Sequence, residues 1–221
     1  RFSRIQVPQT MEQTGIVPVF YHKDLKTCKK ALKACYEGGA RTFEFTNRGD
    51  YAHEIFQELN QYAETALPEM ILGVGSVIDA ATTALYLQLG ANFVVSPLVN
   101  AEMARNCNQR MVAWMPGCGS VTEINSAQEL GAEVVKIFPG MQVGGPGFVR
   151  AVKGPLPWSR IMPTGGVSPT KENLHEWFNA GVHCVGIGSK LFQKNENGEF
   201  DYETIKNTTR KSIEIVESLK L

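Results

Sequence analysis

The stretch Leu130-Gly131-Ala132-Glu133-Val134-Val135-Lys136-Ile137-Phe138-Pro139 decides the fold. It opens where a helical pattern stops, at a glycine suited to the position just past a helix end. It continues as a short apolar, β-branched run that reads as a buried strand. The same grammar of helix, Gly-Ala-like pair, polar residue and apolar strand recurs three times. It returns at Gly38-Gly39-Ala40-Arg41-Thr42-Phe43, Leu89-Gly90-Ala91-Asn92-Phe93-Val94 and Ala180-Gly181-Val182-His183-Cys184-Val185. Each interval between junctions holds about two βα units.

Strands are therefore expected at residues 16–21, 42–46, 70–75, 93–96, 111–115, 134–138, 160–163 and 184–188. Helical patterns follow at 25–37, 52–66, 80–89, 101–108, 122–130, 147–152, 171–180 and 202–219, with Asp24 and Asp79 placed as N-caps. Strands alternating with helices over short connections make a parallel sheet. Eight such units in one chain of this length predict a single-domain (β/α)8 barrel spanning 1–221, with residues 1 to about 12 as a lead-in. A doubly wound sheet is the alternative, and it usually carries a G-x-G-x-x-G turn. Gly73-Val74-Gly75, Gly117-Cys118-Gly119 and Gly186-Ile187-Gly188 each miss the third glycine, at Ile78, Thr122 and Leu191.

The 221 residues are 43% hydrophobic and 20% charged, with zero net charge. That balance gives no footprint for nucleic acid, and no apolar run is long enough to span a membrane. Five cysteines, odd in number and without a C-x-x-C pair, fit a reducing compartment rather than a disulfide framework or a thiolate zinc site. The four histidines show no metal-ligand spacing. With no signal-peptide core at the N-terminus, these features favour a soluble cytoplasmic protein.

Lys136 carries the chemistry. Burial disfavours an ammonium relative to an amine, and an amine attacks carbonyls. A lysine inside a buried strand is thus a Schiff-base candidate. An edge-blunting or snorkelling lysine is the bland reading. Strand alternation puts Val134, Lys136 and Phe138 on one face and Val135 and Ile137 on the other. In the second strand it puts Thr42, Glu44, Thr46 and Arg48 together, opposite Phe43 and Phe45. Charge then points into the barrel, with Glu44 as general acid/base or as a neutralising partner, and Arg48 as a fork for a carboxylate. Pro163-Thr164-Gly165-Gly166-Val167-Ser168 and Gly186-Ile187-Gly188-Ser189 close the last two strands. Loops there are the usual phosphate grip of such barrels. Cys118 reads as a small hydrophobe, and Trp114, Trp158 and Trp177 as core or interface.

The ordered set Ile16-Val17-Pro18-Val19, Phe43-Glu44-Phe45-Thr46-Asn47-Arg48, Gly73-Val74-Gly75-Ser76-Val77, Val95-Ser96-Pro97, Met115-Pro116-Gly117, Val135-Lys136-Ile137-Phe138-Pro139, Lys153-Gly154-Pro155-Leu156-Pro157, Pro163-Thr164-Gly165-Gly166-Val167-Ser168 and Gly188-Ser189 resembles the 2-keto-3-deoxy-6-phosphogluconate / 4-hydroxy-2-oxoglutarate aldolases. The resemblance runs from about Ile16 to the C-terminus. It implies a class I pyruvate lyase on a (β/α)8 barrel that needs no metal or other cofactor and is typically homotrimeric. It implies Lys136 as the Schiff-base lysine and Glu44 as acid/base. Arg48 and Ser76 would hold the keto-acid carboxylate, with Thr46, Pro97 and Phe138 shaping that pocket. Thr164, Gly165, Gly166, Gly188 and Ser189 would hold a phosphate. Ser76 stands where the family leads one to expect threonine, Gly140-Met141 where Ala-Glu is common, and Gly119 where Ser or Ala is more usual. Competing readings are an aldolase for the galactonate epimer, an isomerase or epimerase with the same phosphate grip, and a non-catalytic sugar-phosphate-binding protein.

Overall fold

In a computed structural model, which describes residues 1–219, all four junction glycines adopt left-handed backbone, with φ of 101, 91, 91 and 92° at Gly39, Gly90, Gly131 and Gly181. Three junctions close with the same bond: Ala40, Ala91 and Ala132 N–H groups donate back to Cys35, Tyr86 and Ala127 carbonyls at 3.0 Å. That bond and a left-handed glycine end a helix and turn the chain into a parallel strand. At the other helix ends, Asp24 accepts from Thr27 N at 2.8 Å and Asp79 from Thr82 N at 2.7 Å. Both expected caps are formed. Lys220 and Leu221, at the end of the expected 1–221 domain, lie outside the described residues.

The elements in chain order are α1 (Gln6–Thr14), β1 (Ile16–Phe20), α2 (Leu25–Glu37), β2 (Thr42–Thr46), α3 (Ala52–Ala66), β3 (Ile71–Gly75), α4 (Ala80–Gln88), β4 (Phe93–Val95) and α5 (Ala101–Gln109). There follow β5 (Ala113–Met115), β6 (Gly117–Cys118), α6 (Val121–Glu129), β7 (Val135–Ile137), α7 (Gly145–Lys153), β8 (Ile161–Pro163), α8 (Lys171–Asn179), β9 (Val185–Ile187) and α9 (Tyr202–Ser218). β5 and β6 are two halves of one barrel strand parted by Pro116, which has no N–H to donate to the ladder. Met111, expected at the start of that strand, is instead a turn residue with φ of 52°.

All pairings between these strands are parallel, in the orders β5-β4-β3-β2-β1-β9 and β6-β7-β8. A parallel bridge from Thr164 to Gly186 joins β8 to β9, and the sheet closes into a single-domain barrel. The doubly wound alternative falls with that closure. No helix among the described residues is long and apolar enough to cross a membrane.

Side-chain alternation sorts the apolar residues into two cores. Phe43, Phe45, Leu72, Val74, Val94, Trp114, Val135, Ile137, Ile161 and Val185 pack outward under the helices. Val17, Ile71, Phe93, Val95, Ala113, Met115, Val134, Met162 and Cys184 fill the interior. Val7 and Met11 of α1 belong to this interior core, so the segment expected as a plain lead-in contains a helix that plugs one end of the barrel. Arg4 fastens it by an ion pair to Glu133, and Pro8 carbonyl lies 2.9 Å from His183 Nε2. With that end plugged, substrate access is left to the C-terminal ends of the strands, the functional end of such barrels.

Replacing the fully buried Met11 with alanine removes the tip of the plug. The expected loss is about 2–4 kcal/mol of unfolding free energy in urea titration.

Candidate active site

Two charged side chains meet inside the barrel. Lys136, in β7, and Glu44, in β2, are inward-facing, and Lys136 Nζ lies 3.8 Å from Glu44 Oε1. Their side chains are only 7% and 1% exposed. Each ion supplies the other's counter-charge where water cannot, and isolated burial of either costs several kcal/mol. Neither Glu44 oxygen has a hydrogen-bond partner among the described residues. A buried carboxylate with spare acceptor capacity is a mark of a working site rather than of a structural one.

The space for Glu44 is made by β3. A methyl group on Gly75 would stand 1.8 Å from Glu44 Oε1. Strand register holds Glu44 opposite Gly73 and Thr46 opposite Gly75. On the other side, Lys136 is opposite Gly117, whose backbone presses against Pro97 so closely that a Cβ would lie 2.4 Å from the Pro97 carbonyl carbon. The Lys136 ammonium sits 5.2 Å from the centre of the Phe138 ring.

One layer nearer the barrel mouth lies a cleft of about 300 Å³. Of the expected residues, Thr46, Arg48, Phe138, Thr164, Gly165, Gly166, Gly188 and Ser189 line it. Lys136 and Glu44 are not on its wall. They precede Phe138 and Thr46 by two positions on the same inward faces, which sets them beneath its floor. Ser76 and Pro97 are also off the wall. Ser76 Oγ accepts from Arg48 Nε at 3.3 Å, and Pro97 packs on the β6 side. Ser76 has φ of 58°, a conformation that disfavours a β-branched threonine more than serine.

Arg48 is aimed by its neighbours. Asn47 N–H donates to Gly75 carbonyl at 2.8 Å, and Asn47 Oδ1 accepts from Tyr86 at 2.9 Å. At the opposite wall, Gly165 and Gly166 have φ of 97 and 80°. Their carbonyls accept from Met141 N–H at 3.1 Å and Asn173 Nδ2 at 3.2 Å. Thr164 Oγ1 is buried without a partner among the described residues. Two glycine backbones, the Ser189 hydroxyl and the cations Arg48 and Lys190 thus surround one cleft, a setting that favours an anion.

Sequence reading missed Tyr21 and Lys190, which also line the cleft, and the Asn47–Tyr86 contact. Lys190 directly follows the Gly-x-Gly-Ser turn, and that adjacency was its only signal. Tyr86 acts through a helix-to-loop contact that no local pattern encodes. Of the tryptophans, Trp114 and Trp177 are core, and Trp158 is exposed. His183 is tied to α1, as a structural histidine would be. Among the described residues no group of three or more His, Cys, Asp or Glu is placed to hold a metal ion.

Comparison with known proteins identifies the family. A family model for KDPG and KHG aldolase matches residues 7–208. The chain belongs to that family. A 2-dehydro-3-deoxy-phosphogluconate aldolase of Treponema pallidum is 32% identical over 212 residues, covering 96% of this chain and 98% of its own. A protein of the same name from Pseudoalteromonas atlantica is 29% identical over 211 residues, covering 95% of both chains. Among solved structures, KDPG aldolase from Legionella pneumophila, with pyruvate captured as a covalent carbinolamine, superposes with a TM-score of 0.80 at 25% identity, covering 92% of this chain and 96% of that one.

One experiment probes the buried ion pair and a second the buried thiols. Lys136→Met strands Glu44 in the interior and should cost about 3–5 kcal/mol in denaturant titration, with much of that loss recovered in a Lys136→Met/Glu44→Leu double variant. Burial pushes the thiols of Cys28, Cys35, Cys107 and Cys118 up to about 12. Thiolate is then scarce at every pH below that value, so a disulfide reagent at neutral pH should leave these four cysteines unmodified in the folded protein and label them after denaturation.

Proposed function

We propose that the protein is a class I aldolase that reversibly cleaves 2-keto-3-deoxy-6-phosphogluconate to pyruvate and glyceraldehyde 3-phosphate, and 4-hydroxy-2-oxoglutarate to pyruvate and glyoxylate. The observation that carries this reading is the buried Lys136–Glu44 pair at 3.8 Å beneath a cleft rimmed by Arg48 and the Gly165–Gly166 loop.

Lys136, after passing one proton of its ammonium to Glu44, adds as an amine to the C2 ketone of the substrate, and Glu44 gives that proton to the departing hydroxyl. Loss of water gives a protonated imine, into which electrons can flow. Glu44, through a water, takes the proton of the C4 hydroxyl. The C3–C4 bond breaks, the aldehyde leaves, and its bonding electrons form the enamine of pyruvate. Glu44 returns a proton to C3, and water hydrolyses the imine to free pyruvate and the amine. One carboxylate within reach of the lysine serves both proton transfers.

The remaining roles fall to residues in and beside the cleft. Arg48, bonded to Ser76, offers its guanidinium to the substrate carboxylate. Thr46, Pro97 and Phe138 shape the keto-acid pocket. Thr164, Gly165, Gly166, Gly188 and Ser189, with Lys190 beside them, hold the phosphate. A homotrimer is the assembly that the family resemblance implies. A cytoplasmic setting agrees with the five buried cysteines, none of them in a disulfide among the described residues.

The test is aldol cleavage of 2-keto-3-deoxy-6-phosphogluconate followed through pyruvate release. Lys136→Ala should abolish turnover. Glu44→Gln should lower kcat by about 10²–10⁴. Arg48→Lys, which loses the bidentate fork, should act chiefly through KM. Full cleavage by Lys136→Ala would overturn the assignment.

A further inference from the structure

The cleft does not end at the phosphate-binding wall. A second chamber of about 310 Å³ adjoins it and shares Val19, Phe20, Tyr21, Arg48 and Ser189 with it. Its far side is built by the chain that follows β9, through Phe192, Lys194 and Phe200. Lys194 and Phe200 pair across an antiparallel bridge, and Asn195 N–H donates to Glu199 carbonyl at 2.8 Å, so the stretch is a short hairpin rather than a slack loop. Phe200 is fixed against Phe20, with ring centres 5.3 Å apart, and Phe20 is 4.4 Å from Phe192. Lys194 Nζ is held 5.1 Å from the centre of the Phe200 ring. The walls are therefore mostly aromatic and aliphatic, and one exposed ammonium stands at the end.

The catalytic roles given above leave this chamber unused. Its chemistry is distinct from that of the phosphate wall: it has no glycine loop and only one cation beyond Arg48. An apolar chain ending in a single negative charge matches such walls, since methylene groups bury against aromatic rings while the carboxylate reaches the lysine. Resting on the aldolase reading, we infer that the chamber is an acceptor subsite for aldehydes that carry an apolar chain with a terminal carboxylate. In the synthetic direction, C3 of the Lys136-bound pyruvate enamine bonds to the aldehyde carbon. The aldehyde oxygen takes a proton by way of Glu44, and water releases a 4-hydroxy-2-keto diacid and restores the lysine. Phe200 and Lys194 are the specificity-determining residues.

The experiment measures kcat/KM for addition of pyruvate to glyceraldehyde 3-phosphate, glyoxylate, 6-oxohexanoate and hexanal. Hexanal has the same chain length as 6-oxohexanoate without the charge. Wild-type protein should prefer 6-oxohexanoate over hexanal by about fivefold, the scale of one partly exposed ion pair. Lys194→Gln, at an exposed position, should erase that preference. Phe200→Ala should lower the ratio of either six-carbon aldehyde to glyoxylate by about tenfold, the scale of lost apolar contact. Equal use of 6-oxohexanoate and hexanal by wild type, or a preference that survives Lys194→Gln, overturns the subsite while glyceraldehyde 3-phosphate still reacts. Failure of every acceptor, glyceraldehyde 3-phosphate included, strikes the aldolase reading itself.

Discussion

The Lys136–Glu44 pair is the constraint around which this barrel is arranged. Two opposite charges 3.8 Å apart in the interior are tolerable only together, because either one alone would be an uncompensated buried ion. Their proximity requires that β3 offer no side chain where Glu44 stands, and it offers Gly75 there. It also requires that β7 run beside a strand able to come close at Gly117. The pair is therefore built from backbone choices on strands that do not carry it.

The barrel divides its labour along its axis. One end is packed with apolar side chains and plugged by α1 through Val7 and Met11. The middle holds the ion pair. The other end is glycine-rich and cationic, with Arg48 set by Asn47 and Tyr86 and with the Gly165–Gly166 loop tied to Met141 and Asn173. Stability comes from the apolar end and the outer helical layer, so the open end can keep polar groups with spare hydrogen-bonding capacity. Glu44 and Thr164 are the clearest of these.

Much of the barrel was legible because its signals are local. The helix-to-strand junctions repeat a glycine whose left-handed backbone is a property of a few residues, and the inward and outward faces of β2 and β7 follow from alternation alone. Thr46, Arg48, Phe138 and the residues of both closing loops come together at one cleft, as strand-end placement required. Other features were hidden because they depend on contacts distant in sequence. The α1 plug rests on side chains meeting strand residues far along the chain, although a local capping box marks its start: Gln6 N–H donates to Ser3 Oγ at 3.3 Å and Ser3 N–H to Gln6 Oε1 at 2.8 Å. The break at Pro116 makes two short strands of one. Tyr86 reaches Asn47 across 39 positions. The second chamber depends on a hairpin from Lys194 to Phe200 that packs on Phe20, far earlier in the chain.

The central claim is that the Lys136 amine forms an imine with a keto acid. Incubation with pyruvate and borohydride, followed by intact mass and peptide mapping, tests it most directly. The account predicts a single reduced pyruvate adduct on the peptide that contains Lys136, absent from Lys136→Ala protein. A folded protein that forms no adduct at saturating pyruvate, or one modified at another lysine, would contradict it.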